Sequence, residues 1–238
     1  MKSPDIVGRA AGVQVSGGLT GLDLRQLPGL FLWYKAEDIA LPIGDPIPAI
    51  GDAGPYGVTA IQTTAAQQAI VIAVPQKANR KAISLDGVDD KYWQELTPAN
   101  ATNQYTIAFA HYHTHATGDK FFWRPSSTFV PGAMESDSGY GWYDGAYKQG
   151  HTNTPGYGVV SWQLNAAGGA VNRNNKPVFN TTYTAQAVTS TAAMFGHRGE
   201  AAGNMKGHVF EVAVFSPALT DAQRTLVDQY LMNKYEIG

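Results

Sequence analysis

The chain has 238 residues, 44% of them hydrophobic and 15% charged, with no cysteine and a formal net charge of −2. That balance supports a folded core, excludes disulfides, zinc–thiolate sites and cysteine nucleophiles, and argues against nucleic-acid or anionic-membrane partners. No apolar run approaches the roughly 20 residues of a membrane span, and the opening residues lack the apolar core of a secretory signal, so export by that route is either unused or a signal has been trimmed.

Residues 1–28 hold few large apolar side chains and carry Gly17-Gly18 in their middle. They read as an extended N-terminal arm outside the domain of residues 29–238: either a disordered terminus or an ordered arm lying on the domain or on a neighbouring subunit. Leu30 to Ala36 is a good first strand. A loop rich in proline and glycine follows, from Pro42 to Gly57. Short strands are expected over Val58–Gln62, Ile70–Val74 and Ala82–Leu85, the last closed by the turn signal Asp86-Gly87 and resumed at Tyr92-Trp93. Tyr105 to His115 is the longest clear strand. Phe121–Trp123, Tyr140–Tyr143 and Val159–Leu164 come next, and Asn172–Asn175 looks like a hairpin tip.

The chain closes on a strand, a turn and a helix. His208, Phe210, Val212 and Val214 alternate with Val209, Glu211, Ala213 and Phe215, so both faces of the strand are mainly apolar and it belongs at the centre of a sheet. Pro217 ends it. Thr220 and Gln223 have capping-box spacing, and Leu226, Val227, Tyr230, Leu231 and Tyr235 then follow at helical spacing, giving one apolar stripe. About a dozen short strands with frequent turns and a single helix predict an all-β, two-sheet antiparallel sandwich.

Five segments in order carry a resemblance: LWYKAEDI (32–39), AIGDAGPYGVTAIQ (49–62), AISLDGVDDKYW (82–93), YTIAFAHY (105–112) and the closing strand and helix. Together they resemble the concanavalin A-like lectin/glucanase superfamily, in its laminin-G-like jelly-roll branch, over about residues 29–237. The second segment departs from the family's loop at Ile50, where the family has tryptophan, and at Pro55-Tyr56, where it has Ser-Gly. The resemblance implies two stacked sheets without fixing one activity, since members include sugar-binding modules, glycosidases and bacteriophage surface or fibre proteins.

Four groups of residues are candidates for chemistry. His111, His113 and His115 alternate on one strand face and offer imidazoles to a metal, although about 7 Å between alternate residues strains a shared ion. Asp86, Asp89 and Asp90, with Asp52 in the earlier loop, supply oxygens suited to calcium or to turn hydrogen bonds. Trp123, Tyr140, Trp142 and Asp144 combine flat aromatic faces with a carboxylate, as glycan sites do, or as ordinary packing does. Glu135 and Glu211 are isolated acids; neither has a partner at strand spacing, the Glu-x-Asp-x-x-Glu motif of the superfamily's glucanases is missing, and Glu211 is expected to tether the helix.

These readings favour a non-catalytic structural or surface component of a phage-like virion, bound to other virion proteins or to copies of itself through residues 1–28. The expected location is then the virion, with the extracellular space or cell surface as the alternative. The alternative function is a lectin-like carbohydrate-binding module, and a glycoside hydrolase stands third. Neither nucleic acid nor membrane is an expected partner, no cofactor is expected beyond a possible calcium ion, and a homo-oligomer is expected.

Overall fold

A computed structural model of the chain describes residues 22–95, 104–114, 119–121, 123–124, 130–135, 139–144, 146–150, 155–185, 191–195 and 204–238. Its strands are β1 (Leu30–Lys35), β2 (Ala49–Ile50), β3 (Ala60–Ile61), β4 (Ile70–Val74), β5 (Arg80–Asp86), β6 (Tyr92–Glu95), β7 (Tyr105–His113), β8 (Asp119–Phe121), β9 (Trp123–Arg124), β10 (Val130–Glu135), β11 (Gly139–Tyr143), β12 (Tyr147–Gly150), β13 (Gly156–Asn165), β14 (Gly168–Arg173), β15 (Lys176–Thr181), β16 (Thr191–Met194) and β17 (Lys206–Phe215), followed by helix α1 (Asp221–Tyr235). The main sheet runs β15-β14-β13-β7-β17-β5-β4, with β1 also paired to β17, and every pairing is antiparallel. The opposing layer is divided into a four-stranded sheet, β12-β11-β10-β8, and a five-stranded one, β2-β3-β6-β16-β9. The expected all-β sandwich is the architecture found, with the second layer split in two.

One core cluster joins the layers. Phe31, Tyr34, Ile107, Phe109, Trp162 and Val212 of the main sheet meet Ile50, Ala60, Tyr92 and Met194 of the five-stranded sheet and Tyr140 and Trp142 of the four-stranded one. A second cluster covers the outer face of the main sheet, where Ala108, Val159, Phe210 and Phe215 pack beneath Val227, Tyr230, Leu231 and Tyr235 of α1. Leu22, Leu24 and Leu27 join this outer cluster, so the last residues of the expected arm rest on the domain; residues 1–21 lie outside those described.

The ending forms for the reasons its residues give. Thr220 accepts from the backbone N–H of Gln223 and the Gln223 side chain returns to the cap, completing the capping box. The strand stops at Phe215, two residues before Pro217. Its expected alternation holds only in part: the register with β7 shifts between Val209 and Glu211, and that bulge puts Val209 with Val212 and Val214 in the inner core while Phe210 joins Ala213 and Phe215 outside. One extra residue in a strand moves everything beyond it to the opposite face. Asn174 and Asn175 take positive φ at the β14–β15 turn, as a two-residue hairpin tip requires.

Candidate functional site

Three of the four expected glycan residues, Tyr140, Trp142 and Asp144, are interior. Tyr140 and Trp142 are fully buried and Asp144 is 4% exposed. Tyr140 packs edge-on against Trp162, and Trp142 lies 5.3 Å from the Phe179 ring. A Cβ on Gly169 would fall 2.3 Å from the Trp142 ring, so the missing side chain is what lets β14 lie over the indole. Asp144 accepts from Lys148 Nζ (2.9 Å), from the Thr184 backbone N–H (2.7 Å) and from Trp142 Nε1 (3.3 Å). These three residues are corrected from a stacking platform to part of the packing between the layers, because no aromatic face is left for a pyranose ring. The backbone of Trp123 pairs with Met194; its side chain lies outside the described residues, as do the side chain of Glu135 and all of His115.

His111 and His113 are brought together, on the inner face. Their rings stack with centroids 5.3 Å apart and His113 Nδ1 lies 3.3 Å from His111 Nε2. The two side chains therefore reach each other across the roughly 7 Å that separates alternate residues of a strand. Both rings are buried, with Tyr140 edge-on to His113. Burial, then His113, then Arg173 hold His111 well below the ordinary imidazole pKa. A base whose folded pKa is depressed favours the folded state above the unfolded pKa of about 6.5 and loses that stability as pH falls below it. The imidazole carbon shifts of His111 are therefore expected to stay at neutral values from pH 7 to pH 5.5; a titration midpoint near 6.5 in the folded protein would contradict this burial.

Asp86, Asp89 and Asp90 meet at the β5–β6 turn, with one carboxylate oxygen from each all within 4.8 Å of one another. Among the described residues the two histidines do not join them in such a cluster. Turn chemistry accounts for much of the arrangement: the backbone N–H of Asp86 donates to Asp90 (2.7 Å) and that of Val88 to Asp86 (2.7 Å). Burial and the neighbouring carboxylates Asp86 and Asp89 outweigh the Asp86 amide and push Asp90 up to about 6. An acid with a raised folded pKa weighs against the fold above pH 6, and that effect is gone below its unfolded value of 3.8. Asp90→Asn keeps the acceptor for the Asp86 amide. It is expected to stabilise by roughly 1–2 kcal/mol at pH 7.5 and by nothing at pH 3.5 in urea melts.

Asp52, the other acid singled out, is a loop organiser. It accepts from the backbone of Trp33 (2.8 Å), Gly54 (2.7 Å) and Val58 (3.1 Å); burial nevertheless raises its pKa against the pull of those amides. Glu211 tethers the helix as expected, taking hydrogen bonds from Trp33, Tyr230, Lys234 and Tyr235.

Among the described residues are two open clefts, each of about 380 Å³. The first lies between the end of β1 and the following loop, lined by Lys35, Asp38, Leu41, Ala49 and Asp52, with Lys35 paired to Asp38 at 2.8 Å. The second lies on the main sheet beside the start of α1, lined by Gln163, Asn165, Gly168, Ala170, Asn180 and Asp221. Sequence reasoning missed this second set. The signal was the run Ala166-Ala167-Gly168-Gly169-Ala170, too small in side chain to fill the face of the strand it begins.

No family model matches the sequence, and a search of curated proteins finds no match. Solved structures do match. The sialidase of Trypanosoma rangeli in complex with sialic acid superposes with a TM-score of 0.59 at 13% identity, over 86% of this chain and 33% of that one. A botulinum neurotoxin type C structure, titled for cell entry dependent on two ganglioside molecules, gives 0.59 at 8% identity, over 85% of this chain and 51% of that one. Domain 4 of a GH43 extracellular arabinanase from Geobacillus stearothermophilus, in complex with arabinotriose, gives 0.55 at 16% identity, over 83% of this chain and 97% of that one. The likeness is one of fold. This chain spans about a third of the sialidase chains, and nearly all of the arabinanase domain.

Two expectations change with these findings. The exclusion of catalysis does not stand: the missing glucanase motif was its ground, and sialidases and an arabinanase domain share the fold. The virion role gains no support, since the three structures concern a sialidase, a toxin and an arabinanase.

Proposed function

We propose that this chain is a carbohydrate-binding β-sandwich module. The observation that carries the reading is the match to arabinanase domain 4, which covers 83% of this chain and 97% of a domain whose structure holds arabinotriose. The sialic acid and ganglioside named for the other structures support the same ligand class. The two clefts open to solvent at sizes suited to one or two sugar rings, the lower end of the range for ligand pockets. An array of neutral and sialylated oligosaccharides, followed by calorimetry on any hit, tests it. Saturable binding in the micromolar to millimolar range supports the reading; no binding to any glycan up to millimolar concentration overturns it.

A further inference from the structure

We infer that the second cleft is the sugar site and that it takes a neutral sugar presenting adjacent hydroxyls; this rests on the carbohydrate-binding reading above. The cleft is made where β14, between two strands that carry amides, offers nothing larger than the Ala170 methyl. Gln163 pairs with Ala170 and Asn165 with Gly168 across β13 and β14, while Ala170 pairs with Asn180 across β14 and β15. Directly paired residues share a sheet face. Gln163, Asn165 and Asn180 therefore stand on one face with only Gly168 and Ala170 between them. Two strand spacings separate β13 from β15, about 9.5 Å, which leaves a trough the width of a sugar ring. This face is the one α1 covers: the Gln163 amide donates to Leu219 O (2.6 Å), and Asp221, the first residue of the helix, closes the end of the trough.

The glycine is required here for more than space. Gly168 has φ +140°, and a Cβ there would lie 2.9 Å from the Thr181 carbonyl oxygen, so β15 approaches the turn only because the side chain is absent. Asn165 Oδ1 accepts from the Ala167 N–H (2.8 Å), which fixes the rim; with that oxygen engaged, the Asn165 side chain presents its amide nitrogen as a donor. Gln163, with its amide nitrogen committed to Leu219, offers its oxygen as acceptor. Asn180 and Asp221 are exposed and supply a second amide and a carboxylate. A carboxylate and an amide that each accept from or donate to neighbouring hydroxyls make a fixed match to a diol.

Charge selects the class. The lining holds one carboxylate and no lysine, arginine or histidine. An anionic sugar such as sialic acid would meet Asp221 with no cation to offset it, whereas a neutral sugar loses nothing. The first cleft differs in carrying Lys35.

The experiment measures the intact chain by calorimetry against arabinotriose and a neutral oligosaccharide panel, with sialyllactose in parallel. Three variants accompany it: Asn180→Ala, which removes one exposed amide; Ala170→Leu, which fills the trough; and Ala49→Leu, which fills the other cleft. The expected result is binding of a neutral sugar, weakened about 5-fold by Asn180→Ala, lost on Ala170→Leu and unchanged by Ala49→Leu, with all three retaining the wild-type circular dichroism. If Ala170→Leu does not fold, the Asn180→Ala result decides by itself. Neutral-sugar binding indifferent to Asn180→Ala, or abolished by Ala49→Leu, overturns this site while leaving the carbohydrate-binding reading intact. Preference for sialyllactose overturns the neutral class. Absence of all glycan binding overturns both.

Discussion

Glu211→Gln is expected to cost about 3 kcal/mol or more of stability, read as a fall in the urea midpoint at pH 7. The carboxylate is fully buried on the outer face of the main sheet beneath α1. Oε1 takes the Trp33 indole N–H (2.6 Å) and the Tyr230 hydroxyl (3.1 Å); Oε2 takes the Lys234 ammonium (2.7 Å) and the Tyr235 hydroxyl (2.7 Å). One side chain thus fastens three residues of the helix to β17 and to β1. Burial works against the Lys234 charge, but the Glu211 carboxylate outweighs it and holds the ammonium above its ordinary pKa. An amide in place of the carboxylate removes that compensation and turns a donor toward Lys234 or Tyr235. Glu37, 2.6 Å from Lys234, remains, but it is far more exposed and screened. Pairing the change with Lys234→Met should lose less than the two single losses added together. Additive losses would mean that the pair does not act as a unit. Because Lys234 has a raised folded pKa, its contribution is complete below the unfolded value of 10.5 and fades as pH rises through the folded one.

Gly207→Ala is expected to remove most of the folded protein, at a cost of at least about 3 kcal/mol. Gly207 sits in β17 with φ +143°, and a Cβ there would lie 2.1 Å from the Tyr112 carbonyl oxygen and 2.8 Å from the His113 Cα. Those are backbone atoms of the neighbouring central strand, so no rotamer change relieves the contact. The row in which it stands, Leu85–Gly207–His113, crosses three adjacent strands of the main sheet. Soluble yield and the guanidinium midpoint of Gly207→Ala, compared with Gly51→Ala in open space, measure the effect. An alanine variant as stable as the parent would show that β7 and β17 do not pack so closely.

Much of the architecture was readable because it rests on local chemistry. The capping box at Thr220 and Gln223, the Asp86-Gly87 turn, the Asn174-Asn175 tip and the strand Ile70–Val74 each follow from residues within a few positions of one another. The strand Val130–Glu135 was missed because Pro131 and Gly132 suppress its local signal, and only pairing with β8 and β11 makes it a strand. The candidate sites were less legible. Tyr140, Trp142 and Asp144 have the composition of a sugar platform, yet composition does not say which layer a face meets. Gln163, Asn165, Asn180 and Asp221 come from two strands and a helix, and no spacing in the chain relates them.

The amino-acid order alone settled that this is an all-β chain closed by one capped amphipathic helix, because turn preference, strand alternation and capping act over a few residues. Only the tertiary structure decided which acids and rings are interior. It divided the second layer in two, moved Phe210 to the outer face through a bulge, surrounded Glu211 with donors from β1 and α1, and hollowed a trough where β14 begins with Gly168, Gly169 and Ala170. Each of these depends on which strands become neighbours, and that is set by burial of the whole core rather than by any segment's own preference.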